Sequence, residues 1–167
     1  ARAGGLHYLD LTEDVEVTSQ VMDLAKDADT AFIPQCGLAP GFITIVAKHL
    51  LGEMKDVTDL RMRVGALPRY PDNRLKYNLT WSTEGLINEY CNPCEAIHEG
   101  KPIEVLALEG LEHFSLDGIR YEAFNTSGGL GTLCQTLHGK VRELNYKTIR
   151  YMGHRDLAVL LVRELDL

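Results

Sequence analysis

Residues 34–51 read PQCGLAPGFITIVAKHLL, and the change of pattern inside them decides the fold. A Gly/Pro-rich turn runs straight into Phe42, Ile43, Ile45, Val46, Ala47, Leu50 and Leu51, so an apolar helix starts directly after a loop that needs unusual backbone angles. Two glycines and a proline within residues 37–41, at the end of a strand, imply backbone brought close to something, and α/β proteins place ligands at such loops.

Upstream of the hinge the pattern is β-α-β. Residues 7–10 read as a short buried strand. Thr12, Glu13 and Asp14 then offer an N-cap and first-turn acids for a helix to about residue 28, with Val15, Val17, Val21, Met22, Leu24 and Ala25 on its apolar side. Residues 31–33 read as the next strand, joined by a parallel crossover. Two strands and a helix have too little apolar surface to stand alone, so this piece is expected to be the last crossover of something larger.

Downstream the period becomes two. Leu60, Met62, Val64 and Ala66 alternate with polar neighbours, as do Leu75, Tyr77, Leu79 and Trp81, and both runs read as antiparallel strands. Arg61 and Arg63 share a strand face with Asp59, which favours solvation over ligand binding. Ser82 and Thr83 cap a short helix through residue 90. Glu99-Gly100 and Asp117-Gly118 are two-residue hairpin turns, between residues 96–98 and 103–108 and between residues 114–116 and 119–124. A helix around residues 132–138, a strand over 140–151 and a closing helix over 155–165, with Leu157, Leu160, Leu161 and Leu165 inward, complete the chain. The expected second unit is α+β with a sheet of about five or six strands.

Composition narrows the partners. The 167 residues are 45% hydrophobic and 25% charged, which suits a globular chain rather than a disordered one. Net charge is −7 and the 17 Lys and Arg are dispersed, so nucleic acid is disfavoured, and no apolar run is long enough for a membrane span. The four cysteines do not imply disulfides in a chain of this size, and the absence of a signal-peptide layout leaves a reduced, cytoplasmic setting as the expectation. The chain starts without Met and in mid-pattern, which suggests a fragment.

Few residues carry chemistry by spacing alone. Cys91-x-x-Cys94 has metal or redox spacing but lacks a second pair, so no metal is expected. Cys36 has no visible activating base and reads as a small apolar side chain ending a strand. Residues 127–131, SGGLG, lack the Lys-Ser/Thr of a phosphate-binding loop and read as a flexible turn. His154, beside Arg150, Tyr151 and Arg155 at a strand-to-helix junction, belongs either to a carboxylate-binding cation cluster or to a solvated edge.

The ordered motifs YLDLTED (8–14), PQCGLAPGF (34–42), RVGALP (63–68), KYNLTWSTEGLINEY (76–90) with its EGK turn (99–101), and TIRYMGHRDL (148–157) resemble the saccharopine dehydrogenase and reductase family across nearly the whole chain. The resemblance implies that residues 1–41 are the end of an NAD(P)-binding Rossmann domain. Residues 42–167 would then be a substrate-binding and dimerising domain, with a mixed, largely antiparallel sheet covered by helices, as in the second domain of homoserine dehydrogenase. Where saccharopine reductases carry Asp and Cys this chain has Ala39 and Val64, which favours the lysine 6-dehydrogenase-like branch.

By motif matching, Asp10, Thr12, Cys36, Gly37, Leu38, Ala39, Pro40 and Gly41 would border the nicotinamide of NAD or NADP. Tyr77, Trp81, Asn125, Thr126, Arg150 and His154 would line the substrate side. The Gly-rich fingerprint is expected upstream of Ala1, so the segment alone is expected to hold no cofactor and to be inactive. The implied activity is oxidation of the C–N bond of an amino acid or polyamine by a homodimer, with no catalytic base evident. The alternative is a binding or assembly protein that kept the fold and lost the chemistry. The two differ over whether a cleft lies beside residues 37–41.

Overall fold

The computed structural model describes residues 1–12 and 14–165, apart from the side chain of Val15. Glu13 and the Val15 side chain, both used in reading the first helix, lie outside the described residues. Strands β1 (Tyr8–Leu9) and β2 (Phe32–Ile33) pair in parallel across helix α1 (Val15–Ala25), the expected crossover. Asp14 rather than Thr12 caps α1: its carboxylate accepts the Val17 N–H at 2.8 Å, while the Thr12 hydroxyl accepts the Asp14 N–H. The strands were expected to be buried. Leu9 and Ile33 are instead exposed, as are Val17, Met22 and Leu24 on the helix, because two short strands and one helix cannot cover one another.

Helix α2 (Phe42–Glu53) follows the hinge, and β3 (Asp59–Val64) follows α2. Next come α3 (Thr83–Cys91), the hairpin β4 (Cys94–His98) and β5 (Lys101–Val105), and the hairpin β6 (Glu112–Leu116) and β7 (Ile119–Asn125). Helix α4 (Leu133–Leu137), β8 (Glu143–Tyr151) and α5 (His154–Val159) close the chain. Both hairpin turns have the two positive φ angles their sequences call for: 49° and 79° at Glu99-Gly100, 52° and 78° at Asp117-Gly118.

Among the described residues the main sheet has six strands built around β8. Leu144 pairs with Ile97 of β4 on one side and Leu60 of β3 on the other, and the far half of β8 pairs with β7. All pairings are antiparallel except one: β3 runs parallel to β8, from Asp59 opposite Glu143 to Val64 opposite Thr148. The alternation of residues 60–66 reports which face is covered but carries no direction, and the long connection from β3 to β8 leaves room for a parallel return.

Residues 75–81 are not a strand. Their alternation is real in burial, with Tyr77 buried and its neighbours exposed, but among the described residues the segment pairs with no strand. The Asn73 side chain holds it instead, donating to the Tyr77 carbonyl at 2.9 Å and accepting the Tyr77 N–H at 3.4 Å.

Helices cover one side of the sheet. Leu144 and Tyr146 of β8 join Met62, Ile97, Ala47 of α2 and Leu133 and Leu137 of α4 in one cluster. Phe124 and Leu108 pack with Tyr90 of α3 and Ala158 of α5 in another. Phe124, Ile97, Leu108 and Leu144 are the largest fully buried side chains, and burying each such group contributes roughly 1.5–3 kcal/mol.

By the two-residue period, Thr148 and Arg150 lie on the same helix-covered side as Leu144 and Tyr146. The opposite side carries Arg63, which pairs with Glu112 and donates to Asn145 rather than standing in solvent, and Lys147, which pairs with the same Glu112. Burial opposes the Glu112 charge, but the hydrogen bonds from Arg63 and Lys147 outweigh it and hold that carboxyl below its ordinary range.

The closing helix turns differently from expectation. After Val159 it widens into a π-helical turn, Leu160–Glu164. The five-residue step rotates the inward face onto Ala158, Val159 and Val162, leaving Leu160, Leu161 and Leu165 exposed.

Candidate functional site

The hinge loop is held by the end of β1. The Asp10 carboxylate accepts the N–H groups of Thr12 and Gln35 at 3.0 and 3.3 Å and the Tyr8 hydroxyl, and the Asp10 carbonyl accepts the Cys36 N–H at 2.8 Å. The loop then closes on itself: the Phe42 N–H donates to the Gly37 carbonyl at 2.8 Å and Ile43 to Leu38 at 3.1 Å. Gly41 has φ 128°, and a Cβ there would stand 2.6 Å from the Gly37 nitrogen, so only glycine closes this turn. Gly41 and Asp10 therefore shape the loop, and Cys36 is exposed with its thiol toward the Ile33 carbonyl at 3.1 Å.

A narrow cleft of about 270 Å³ opens beside the loop. It is lined by Leu11 and residues 37–40, by Tyr146, Thr148 and Arg150 of β8, and by Val64, Ala66, Tyr77, Trp81 and Glu89. A second, wider cleft of about 710 Å³ adjoins it, sharing Leu11, Trp81, Glu89 and Tyr146 and reaching Thr12 and residues 126–131. Its carboxylates are Asp14, Glu16, Glu84, Glu89 and Glu95, and among the described residues no Lys or Arg borders it.

Arg150 is the cation of the narrow cleft and is only 4% exposed. Its guanidinium lies over the Tyr77 ring, 4.3 Å from the centroid, while Nε donates to the Tyr90 hydroxyl at 3.1 Å and Nη1 to the Ile149 carbonyl at 3.0 Å. Trp81 Nε1 in turn donates to the Tyr77 hydroxyl at 2.9 Å, tying the two aromatic walls together.

Behind Arg150 runs a buried relay. His154 Nδ1 lies 2.8 Å from the Leu75 carbonyl, an acceptor only, so Nδ1 carries the proton and Nε2 accepts from the Tyr90 hydroxyl at 2.9 Å. Burial, reinforced by the Arg150 charge, brings His154 down to about 4, although the Leu75 hydrogen bond opposes this. Burial pushes Tyr90 up to about 12 against the pull of Arg150.

The structure thus brings together Gly37, Leu38, Ala39, Pro40, Tyr77, Trp81 and Arg150 on one cleft, with Thr12 and Thr126 on its wider neighbour. It places His154 behind Arg150 and Tyr90, and Asn125, the register partner of Lys147, on the opposite side of the sheet. Asn125 is buried with its amide on the Leu106 carbonyl at 3.2 Å, and Thr126 exchanges a hydroxyl hydrogen bond with Thr148 at 2.7 Å. Of the two readings left open for His154, neither a solvated edge nor a direct ligand contact describes it: it is a buried, neutral support for Tyr90.

Sequence reasoning passed over Glu89, Tyr90, Tyr146 and Thr148. The last two were legible in principle, since Tyr146-x-Thr148-x-Arg150 places three polar groups on one strand face.

Residues 37–167 match the family model for the saccharopine dehydrogenase C-terminal domain. The chain belongs to this family. It is also similar in structure to an apo, histidine-tagged saccharopine dehydrogenase (L-Glu forming) from Saccharomyces cerevisiae, with 20% identity and a TM-score of 0.71. That match covers 97% of this chain and 39% of the yeast chain, so the chain spans well under half the length of that relative. At this identity the likeness concerns the fold, a mixed and mainly antiparallel sheet with helices.

Saccharopine dehydrogenase family members are associated with nicotinamide dinucleotides. A cleft of about 270 Å³ lies just below the roughly 300 Å³ at which drug-sized ligands begin to fit. The chain carries no G-x-G-x-x-G stretch to cradle a pyrophosphate.

Proposed function

We propose that this chain is the substrate-binding and dimerising portion of an NAD(P)-dependent oxidoreductase acting on the C–N bond of an amino acid, of saccharopine or lysine dehydrogenase type. One observation carries the reading: a buried arginine, Arg150, held by three contacts and lining a cleft that residues 37–40 also line. A guanidinium fixed in this way recognises a substrate carboxylate through a planar pair of donors. The nicotinamide, when bound, accepts a hydride. Leu11 and residues 37–40 would hold its ring, with Asp10 and Gly41 setting the loop. Tyr77 and Trp81 shape the substrate wall and keep water from the reacting carbon.

The test is reduction of NAD or NADP by the protein in which this chain occurs, with lysine, saccharopine and polyamines as candidate substrates. One of these is expected to support reduction, and Arg150→Lys is expected to raise its KM by roughly tenfold or more, since the bidentate geometry is lost while the charge remains. Reduction that proceeds unchanged in Arg150→Lys would remove the basis of the reading.

A further inference from the structure

Glu89 stands where the two clefts meet, bordering both together with Trp81 and Tyr146. Its backbone is fixed from behind: Ser127 donates its N–H to the Glu89 carbonyl and its hydroxyl to the Asn88 carbonyl, each at 3.0 Å. Among the described residues it is the one carboxylate bordering the narrow cleft; the other ionisable side chains there are Arg150, Tyr77 and Tyr146. Arginine stays protonated, and tyrosine is ordinarily protonated near neutral pH, whereas a carboxylate is ready to take a proton. Neither His154 nor Cys36 is among the described residues that line the two clefts.

Resting on the functional reading above, we propose that Glu89 is the group that takes the proton from the substrate's ammonium. An amine gives up hydride from its α-carbon only once its nitrogen has a lone pair to share, so a base must act first. In the balanced step, R2CH–NH3⁺ passes one proton to a Glu89 Oε and becomes R2CH–NH2. The freed pair then forms C=N as the C–H bond breaks, and the hydride leaves with both electrons for the oxidised nicotinamide dinucleotide, the required oxidant. Water converts the iminium R2C=NH2⁺ to R2C=O and NH4⁺, and Glu89 releases its proton through the wide cleft.

The placement suits the task. Arg150 and Glu89 give the cleft one cation and one anion, the pair that a zwitterionic amino acid needs, and loop 37–40 lines the same cleft. The four further carboxylates of the wide cleft add a field that attracts an ammonium rather than a second carboxylate.

The test compares two ligands with the same six-carbon carboxylate skeleton, lysine and the amine-free hexanoate. Their binding to the 167-residue chain is measured by calorimetry between pH 4 and 8. Glu89→Gln is expected to weaken lysine by roughly tenfold or more while hexanoate changes by less than twofold. Glu89→Asp should recover part of the loss, and Arg150→Lys should weaken both ligands. Lysine affinity should fall with acidification in the wild type and stay level in Glu89→Gln, with unchanged melting temperatures showing that the variants fold.

If Glu89→Gln leaves lysine binding intact, or weakens both ligands equally, the role of Glu89 is overturned while an Arg150 effect keeps the functional reading. If the wild-type chain binds neither ligand, the functional reading falls and takes this role with it.

Discussion

The Tyr90 hydroxyl sits between Arg150 and His154, accepting from Arg150 Nε at 3.1 Å and donating to His154 Nε2 at 2.9 Å. One hydroxyl thus fixes both the guanidinium of the cleft and the tautomer of the histidine behind it. Tyr90→Phe keeps the ring against Phe124, 5.9 Å between centroids, but leaves a buried guanidinium N–H and a buried imidazole nitrogen without their partner. The expected cost is about 1–3 kcal/mol of stability, read from the urea midpoint at constant slope. A carboxylate ligand should also bind more weakly as Arg150 loses its aim. A Tyr90→Phe chain as stable as the wild type would show that the relay is not structural.

His154 makes stability depend on acid. Its folded value is lowered to about 4, so between there and the ordinary 6.5 the unfolded chain binds a proton that the folded chain refuses. Stability from this group is therefore full above about pH 6.5 and falls toward pH 4 by up to about 1.4 kcal/mol per unit. His98 acts with the opposite sign, since its bond to Glu143 raises it, but that pair is solvent-exposed and screened. Denaturation midpoints at pH 7.5 and 4.5 should differ substantially in the wild type. The difference should shrink in His154→Gln, and an unchanged difference would assign the acid sensitivity elsewhere.

The cysteines divide by burial rather than by spacing. Cys94 and Cys134 are buried, and desolvation first, then a nearby glutamate, pushes each thiol up to about 12. Both stay protonated and unreactive at pH 8, where the thiolate is the reacting form. Cys36 and Cys91 are exposed. Iodoacetamide on the native chain should label Cys36 and Cys91 and spare Cys94 and Cys134 until denaturant is added. Equal labelling of Cys91 and Cys94 would revive the paired reading of C-x-x-C.

What the sequence disclosed follows from how local each signal is. The Asp117-Gly118 and Glu99-Gly100 turns and the Ser82 cap are short-range devices whose chemistry is complete within a few residues, and each appears where expected. Direction and partner are not local. Residues 59–64 alternate identically whether β8 returns parallel or antiparallel, and residues 75–81 alternate because Tyr77 packs under Arg150, with no strand beside them.

The site divides in the same way. The Gly37–Gly41 loop announced itself through residue types that only a tight turn needs. Tyr90 on an amphipathic helix looks like core and Glu89 like solvated surface; it takes the tertiary fold to set one under Arg150 and the other between two clefts.

Helix α2 carries a strip that the chain itself leaves open. Ala47 faces the core, with Ile43 and Leu51 packed beside it, while Phe42, Ile45, Val46 and Leu50 are 62%, 68%, 36% and 44% exposed. These positions recur at helical spacing, so they form one face rather than scattered contacts. A second copy would supply the same apolar strip and cover it with two-fold symmetry. Because α2 starts at Gly41, covering this face would also stiffen the loop that walls the cleft. Sedimentation at micromolar concentration should give a species of about twice 18.6 kDa. Ile45→Glu should shift it to the monomer without unfolding it, since among the described residues Ile45 is 68% exposed and outside both buried clusters. A wild-type chain that sediments at its single mass would rule out this pairing.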